Sequence, residues 1–207
     1  ITRVAKTGKP IIISTGMASI DDIDVAIETL GLPKNKILIT QCTSQYPCYI
    51  GNVNLKAMGT LREKYGVNVG LSDHTSGVII SAAASAIGAT LIEKHVSLDR
   101  TMKGTDQPGS LEESGLNKLV DYIRATELAM GDGLKMVNPA TQLAKEKLAR
   151  SLTSKCDINK GEILTEEMLC LKSPGTGIKW VDKSILLGKK ALSDIEADVT
   201  LKSEDFE

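Results

Sequence analysis

The strongest constraint on the fold is a repeated alternation of strand-like and helix-like stretches along the first two thirds of the chain. Four short apolar runs each end in polar residues, at Ser14, Cys42, Ser72 and His95. The gaps between these exits are roughly 20 to 30 residues long and each contains one helix-like stretch, which is the spacing of successive βα units. The chain is therefore predicted to be an α/β protein with a parallel sheet or half of an eight-stranded βα barrel.

Two of these exits carry His74 and His95, the only two histidines of the chain. The strands before them and the Ala-rich helix between them form a βαβ unit, so both strands are expected to be parallel and to end at the same edge of the sheet. Three carboxylates lie nearby in the sequence: Asp73, Glu93 and Asp99. Imidazole and carboxylate groups commonly bind divalent metals. A histidine at a strand end is also a common structural residue, so both roles remain open at this point.

The composition gives no sign of a polyanionic or membrane partner. Lys and Arg number 25 and Asp and Glu 26, for a net charge of −1, and no basic patch stands out. No apolar run approaches the roughly 20 residues of a membrane helix, and the four cysteines form no CxxC pair. We therefore expect a soluble, cytoplasmic protein that binds a small molecule or another protein. Because Ile1 is not a natural start, we expect the chain to be the C-terminal portion of a longer protein.

Capping and stop signals mark the helices between the strands. Ser19 is the predicted N-cap of a helix over residues 20–30, and Ser110 and Glu113 are predicted to form a capping box for a long later helix. Three glycines are predicted to end helices: Gly31, Gly66 and Gly131. These signals predict one helix after each strand.

The alternation of strands and helices stops near residue 135. Residues 1–134 are predicted to form the βα domain and residues 135–147 a linker that settles into a short helix. Residues 148–207 consist of short strand-like pieces separated by Gly, Pro and Asp. They are predicted to form a small, mainly β domain, which is too small for an extensive core of its own.

Five motifs, in chain order, resemble the sialic acid synthase family: ISTGMAS, QCTSQYP, VGLSDHTSG, IEKHVSLDRTMKGTDQPGSLE and LKSPGTGI. The resemblance covers nearly the whole chain. It implies a (β/α)8 TIM barrel followed by a small antifreeze-like, or SAF, domain. Only the last four βα units of the barrel are then present.

The resemblance implies a transferase that condenses phosphoenolpyruvate with an N-acyl amino sugar, releasing phosphate and giving a nonulosonic acid. It implies that His74 and His95 are the ligands of a divalent ion, Mn²⁺ or Mg²⁺. An ion held by the two histidines would act as a Lewis acid and polarise the aldehyde of the sugar.

The resemblance also implies roles for side chains at the other strand exits. Ser14, Ser44 and Ser72 fall at positions that contact phosphoenolpyruvate or the sugar, although many relatives have Asn where this chain has Ser44. Tyr46 and Asp106 match positions that contact the sugar, and Asp106 is also a catalytic candidate. Alternative roles are a helix cap for Ser14 and a solvated turn for Asp106.

Glu93 is a second catalytic candidate. Alternation along the strand places it on the same side as His95, so a buried carboxylate is expected that orients the metal site or handles a proton. A structural ion pair with Lys94, or with a lysine of the missing half, is the alternative.

A second departure from the family pattern, besides Ser44, keeps other functions open. The KRPG of the small domain in relatives is Lys172-Ser173-Pro174-Gly175 here, so the Arg that reaches the acyl sugar from a neighbouring subunit is absent. Either Lys179 replaces it or the substrate differs from N-acetylmannosamine, as in a legionaminic or pseudaminic acid synthase.

The resemblance also implies a homodimer. In the family the missing N-terminal half supplies lysines for the phosphate, so these residues alone are expected to be inactive. A non-catalytic sugar-binding or assembly module is the alternative of another class.

Overall fold

A computed structural model describes residues 1–207, which form two compact units, Ile1–Leu134 and Lys135–Glu207. The first unit has four strands: β1 (Ile11–Ser14), β2 (Ile37–Cys42), β3 (Asn68–Asp73) and β4 (Ile92–Lys94). Its helices are α1 (Thr2–Ala5), α2 (Ile20–Leu30), α3 (Ala57–Tyr65), α4 (Ile79–Ala86) and α5 (Glu113–Met130). The second unit contains α6 (Gln142–Leu148), β5 (Ser151–Ser154) and β6 (Leu169–Lys172). Short 3₁₀ helices lie at Lys34–Lys36, Ile50–Asn52, Gln107–Gly109, Pro139–Thr141, Glu166–Met168, Trp180–Ile185 and Ser203–Asp205.

The four strands of the first unit form one parallel sheet in the order β1-β2-β3-β4. One helix follows each of the first three strands, and α5 follows β4. Strand order therefore equals chain order, as in half of a βα barrel. This confirms the predicted α/β half-barrel and brings all four strand exits to one edge of the sheet.

The local signals explain where α2 and α3 begin and end. Ser19 and Asp22 form a reciprocal capping box at the start of α2, with the Asp22 backbone N–H donating to Ser19 Oγ (3.2 Å). Gly31 and Gly66 follow α2 and α3 in the left-handed conformation, which costs little for a residue without Cβ. The predicted N-cap at Ser19 and the stops at both glycines are confirmed.

The core of the first unit lies between the sheet and the helices. Ile39 and Val69 of the sheet and Met58 of α3 are completely buried there. On β1, Ile11 and Ile13 pack against this core, whereas Ile12, on the other face, is 55% exposed. The face of the sheet that would line a barrel interior is therefore uncovered, and it carries polar residues near the strand exits.

The fourth strand, β4, begins at Ile92. The backbone still bonds to β3 before that point, with the Thr90 N–H donating to the Val69 carbonyl (2.9 Å). The approach is close because Gly70 has no Cβ; a Cβ there would lie 2.5 Å from the Leu91 carbonyl oxygen.

The capping box predicted at Ser110 is absent. The N-cap of α5 is Glu112, with no side-chain cap. Ser110 Oγ instead donates to the Asp106 carbonyl (2.7 Å) and closes the loop before the helix.

The second unit has its own small core around an antiparallel pair, β5 and β6. Further isolated bridges join the segments of this unit, as between Ile158 and Ile195. Three fully buried side chains form the centre of the core: Leu152, Leu186 and Leu201. Of the cysteines of the chain, none is in a disulfide, and no helix has both the length and the apolarity that a membrane span needs.

Candidate active site

The site lies at the carboxyl edge of β3 and β4. These strands pair with Ser72 opposite Glu93 and Asp73 opposite Lys94. Because side chains alternate along a strand, Ser72 and Glu93 face the uncovered side and Asp73 and Lys94 face the helices. The next residue of each chain segment is His74 or His95, which places both histidines beside each other at the edge.

His74, His95, Tyr46 and Asp106 form one cluster, called here the histidine cluster. The two imidazole centroids are 5.5 Å apart and the rings are nearly perpendicular, at 89°. The Tyr46 ring lies 4.1 Å from the His74 ring and 4.9 Å from the His95 ring. The Asp106 carboxylate lies 3.6 Å from His95 Nδ1. The structure therefore brings together four of the predicted site residues, which come from three separate strand exits.

Hydrogen bonds define which imidazole nitrogens are available. His74 Nδ1 is 2.9 Å from the Thr43 carbonyl, and a carbonyl can only accept. The proton of a neutral His74 is therefore on Nδ1, so its Nε2 lone pair is free. The hydroxyl of Tyr46 contacts His95 Nε2, while His95 Nδ1 faces the Asp106 carboxylate.

Tyr46 is a proton donor across the physiological pH range. Burial, followed by the negative charges of Asp106, Cys42 and Glu93, raises the pKa of the Tyr46 phenol to about 12. A protonated phenol donates to His95 Nε2, which places the His95 proton on Nδ1, toward Asp106. The carboxylate then orients this ring, as carboxylates beside metal-binding histidines commonly do.

The donor set fits a divalent ion that has two protein ligands. No group of three or more His, Cys, Asp or Glu side chains is arranged to hold a metal ion, so the histidine cluster offers two imidazole nitrogens and leaves other positions open. Imidazole nitrogen is a common ligand of divalent first-row metals, and oxygen ligands such as water at the open positions suit Mn²⁺. His74 Nε2 is free, and His95 Nε2 becomes available when the Tyr46 hydroxyl moves away. Asp99 does not join the cluster, because its carboxylate accepts from the Thr101 N–H (2.7 Å) and hydroxyl.

Glu93 lies on β4, two residues before His95, and its side chain is on the uncovered face of the sheet. Its Oε1 accepts a hydrogen bond from Ser72 Oγ (2.6 Å). Glu93 is exposed on the uncovered face of the half-barrel, the face that would line the interior of a complete barrel, so its expected burial stays a prediction. The alternative of a pair with Lys94 was wrong, because Lys94 contacts Asp73 on the opposite face.

Ser14 and Ser44 line a separate depression at the exits of β1 and β2, together with Gly16. The Ser44 N–H donates to the Gly16 carbonyl (3.2 Å), so the two exits are joined directly. The absence of a Cβ at Gly16 allows this contact, because a Cβ there would overlap the Ser44 side chain. Neither serine hydroxyl bonds to the histidine cluster.

Comparison with known proteins accounts for both units. The NeuB family matches residues 1–135, and the SAF domain matches residues 149–207. The chain belongs to the NeuB family. This confirms the resemblance to sialic acid synthases that the motifs indicated.

Several named proteins are similar to this NeuB-family chain over nearly its whole length. The N,N'-diacetyllegionaminic acid synthase of Campylobacter jejuni is 40% identical over 98% of this chain and 61% of the relative. A pseudaminic acid synthase of the same species is 41% identical over 100% and 60%. The human N-acetylneuraminate-9-phosphate synthase is 36% identical over 99% and 57%. The chain thus spans about three fifths of the length of these relatives.

Solved structures agree with the fold of this NeuB-family chain. The N-acetylneuraminic acid synthetase of Leptospira borgpetersenii, solved with citrate, has a TM-score of 0.62 at 34% identity, over 69% of this chain and 50% of that one. A spore coat polysaccharide biosynthesis protein of Bacillus subtilis has a TM-score of 0.59 at 28% identity, over 100% and 63%.

One contact of this NeuB-family site was missed in the sequence. Asp73 and Lys94 were considered as a metal neighbour and as a partner of Glu93, but they form an ion pair with each other (3.0 Å). The signal was present, since an acid precedes one histidine and a base precedes the other. Their pairing also needed the register of β3 and β4, which the sequence did not give.

Proposed function

We propose that the full-length protein condenses phosphoenolpyruvate with an N-acyl amino sugar and releases phosphate, giving a nonulosonic acid. The observation that carries the proposal is the convergence of His74, His95, Tyr46 and Asp106 at one sheet edge, beside the hydrogen-bonded Ser72 and Glu93. The relatives named as sialic-type acid synthases support it.

In this proposal His74 and His95 hold Mn²⁺ or Mg²⁺ through their Nε2 atoms. Such an ion supplies Lewis acidity toward a carbonyl oxygen. Thr43 fixes the ring of His74 through Nδ1, and Asp106 does so for His95. The Tyr46 hydroxyl leaves His95 and donates to a sugar oxygen instead.

The serines and Glu93 handle phosphoenolpyruvate and protons. Ser14 and Ser44 donate hydroxyl hydrogen bonds to the substrate anion, and Ser72 does so once its hydroxyl leaves Glu93. C3 of phosphoenolpyruvate forms a bond to the sugar aldehyde carbon, and the aldehyde oxygen gains a proton to become a hydroxyl. Water adds to C2 and loses a proton to Glu93; the C2–O bond to phosphate then breaks as the new C2 hydroxyl becomes the keto oxygen, and the hydroxyl proton leaves with the phosphate. Glu93 suits this role because its carboxylate lies beside Ser72 on the face that would line the barrel interior.

The same proposal places the enzyme in the cytoplasm as a homodimer, with the small domain of one subunit reaching the barrel of the other. A polypeptide limited to residues 1–207 is expected to be inactive, because half a barrel lacks the phosphate-binding lysines expected from its N-terminal half.

The experiment is a phosphate-release assay on the full-length protein with phosphoenolpyruvate, Mn²⁺ and a panel of N-acyl hexosamines. We expect release above background with at least one sugar and none when sugar is omitted. Absence of turnover with every sugar would favour a non-catalytic sugar-binding or assembly module.

A second candidate is a sibling synthase that makes legionaminic or pseudaminic acid. Ser173 favours it, because this exposed residue stands where relatives have the sugar-binding Arg and bonds only to the Leu148 carbonyl (3.5 Å) within its own unit. The identities of 40% and 41% to synthases of these two acids also support it. Preference for a diacetylated sugar over N-acetylmannosamine in the same assay would establish this candidate.

A further inference from the structure

The helix-facing side of the site contains a buried ion pair that the proposed chemistry does not use. Lys94 Nζ lies 3.0 Å from Asp73 Oδ2, and the two side chains are 3% and 0% exposed. Asp73 is the last residue of β3 and Lys94 is the last residue of β4. The pair therefore joins the two strands at the position immediately before each histidine.

Both charged groups of this pair make further hydrogen bonds. Asp73 Oδ1 accepts from the Thr75 N–H (2.8 Å), and Asp73 Oδ2 also accepts from Ser81 Oγ of α4 (2.6 Å). Lys94 Nζ donates a second hydrogen bond to the Thr75 carbonyl. Two buried charges therefore occupy one defined geometry that connects β3, β4, α4 and the loop after His74.

These bonds fix the backbone on both sides of His74. Asp73 precedes it and Thr75 follows it, and both are held by the pair. The His74 carbonyl itself accepts from the Cys48 N–H (2.8 Å). The backbone before His95 is held by Lys94, and the His95 carbonyl accepts from the Leu111 N–H (2.9 Å).

A contribution to the stability of the fold is a weak explanation for a buried ion pair. Desolvation of two charges offsets much of their attraction, and apolar residues of similar volume often serve a core equally well. What an ion pair adds is directionality, since it has one favoured geometry where apolar packing has several.

We propose that the Asp73–Lys94 pair is a positioning device that sets the separation and orientation of the His74 and His95 imidazoles for ion binding. The inference rests on the proposed role of these histidines as metal ligands. Asp73 and Lys94 touch neither the ion nor the substrate, so they act through the two backbones that carry the ligands.

The test measures Mn²⁺ affinity of the full-length protein by electron paramagnetic resonance of free Mn²⁺, without substrate. Asp73→Asn and Lys94→Met are expected to weaken Mn²⁺ binding by about 10- to 100-fold, the effect typical of partners behind a metal ligand. The double variant Asp73→Asn/Lys94→Met, which buries no unpaired charge, is expected to fold well and still bind weakly. Lys94→Arg is expected to recover most of the affinity.

Two controls separate positioning from loss of stability. The surface pair Lys64–Asp24 has a similar distance, 2.9 Å, but is 40% and 38% exposed; its neutralisation by Lys64→Met/Asp24→Asn should leave Mn²⁺ affinity unchanged. Met58→Ala removes a fully buried side chain of α3, so it should lower the thermal midpoint without changing the affinity.

The outcomes distinguish this inference from the proposed function. Wild-type Mn²⁺ affinity in the double variant would overturn the positioning role and leave the metal site intact. A loss of affinity in Met58→Ala equal to that in the double variant would also overturn it. Absence of Mn²⁺ binding to the wild-type protein would overturn the proposed metal site and the inference together.

Discussion

At the scale of single residues, the chemistry of the site depends on which atoms are free. The Thr43 carbonyl fixes the proton of His74 on Nδ1, and Asp106 faces Nδ1 of His95. The Thr43 contact joins residues of two separate motifs, whereas Asp106 and His95 lie in the same motif. The histidines and Asp106 could therefore be predicted from the sequence as site residues, but the contacts that fix the two tautomers could not.

Glu93 is expected to be needed for turnover and dispensable for metal binding. Glu93→Gln keeps a hydrogen-bond acceptor for Ser72 but cannot take a proton, so kcat for phosphate release should fall by about 10²- to 10⁴-fold. Mn²⁺ affinity should stay at the wild-type value. Glu127→Gln is the control, because Glu127 is an exposed carboxylate of α5 that pairs with Arg124. Wild-type kcat in Glu93→Gln would remove Glu93 from the mechanism.

Tyr65 gives a prediction about alkaline stability away from the site. Burial, followed by the neighbouring Asp24 carboxylate, raises the pKa of Tyr65 from 10.0 to about 12. The folded state therefore binds the phenol proton more tightly than the unfolded state, and this stabilisation is complete below pH 10 and is lost as pH rises toward 12. The free energy of unfolding should fall more steeply over that interval in wild type than in Tyr65→Phe, as measured by urea unfolding. Equal slopes would contradict the raised pKa.

At the scale of elements, α2 and β4 show what sequence signals can and cannot predict. The N-cap at Ser19 and the stop at Gly31 are local, so they were predicted correctly. The start of β4 and the pairing of Asp73 with Lys94 depend on register between strands. Such contacts join residues about 20 positions apart, and the same alternation pattern is compatible with several registers.

The α2 cap is expected to contribute measurably to stability. Ser19→Ala removes the hydroxyl that accepts from the Asp22 N–H, and the free energy of unfolding should fall by about 1 kcal/mol. Thr29→Ala in the same helix is the control, since that exposed hydroxyl bonds only to the Val25 carbonyl and should change stability by less than about 0.5 kcal/mol. Equal effects of the two substitutions in urea unfolding would contradict the capping role.

At the scale of the whole molecule, the sheet has one uncovered face, and the chain spans about three fifths of the length of its relatives. The two observations are consistent with each other. The face that carries Ser72 and Glu93 is open on one side, and the chain covers 57–61% of the relatives' length. The number and order of βα units could be predicted from the sequence because each unit has its own strand, helix and stop signal. The position of Ser14 and Ser44 relative to the histidines could not, since it depends on closure of the barrel.

The second unit is expected to owe its stability to its own core. Leu152 is fully buried there, so Leu152→Ala should destabilise this unit by about 2–5 kcal/mol. Amide hydrogen exchange in β5 and β6 measures the change. Leu148→Ala, at a residue that is 75% exposed, should leave the exchange rates close to wild type. Unchanged protection in Leu152→Ala would show that this core does not determine the stability of the unit.

The most direct measurement is phosphate release by the full-length protein as a function of Mn²⁺, comparing wild type with His74→Ala and His95→Ala. Release by the wild-type protein should require phosphoenolpyruvate, an N-acyl amino sugar and the ion together, and each histidine variant should lose it while remaining folded by circular dichroism. Release that persists at the wild-type rate in either folded variant would contradict the assignment of His74 and His95 as the centre of the site.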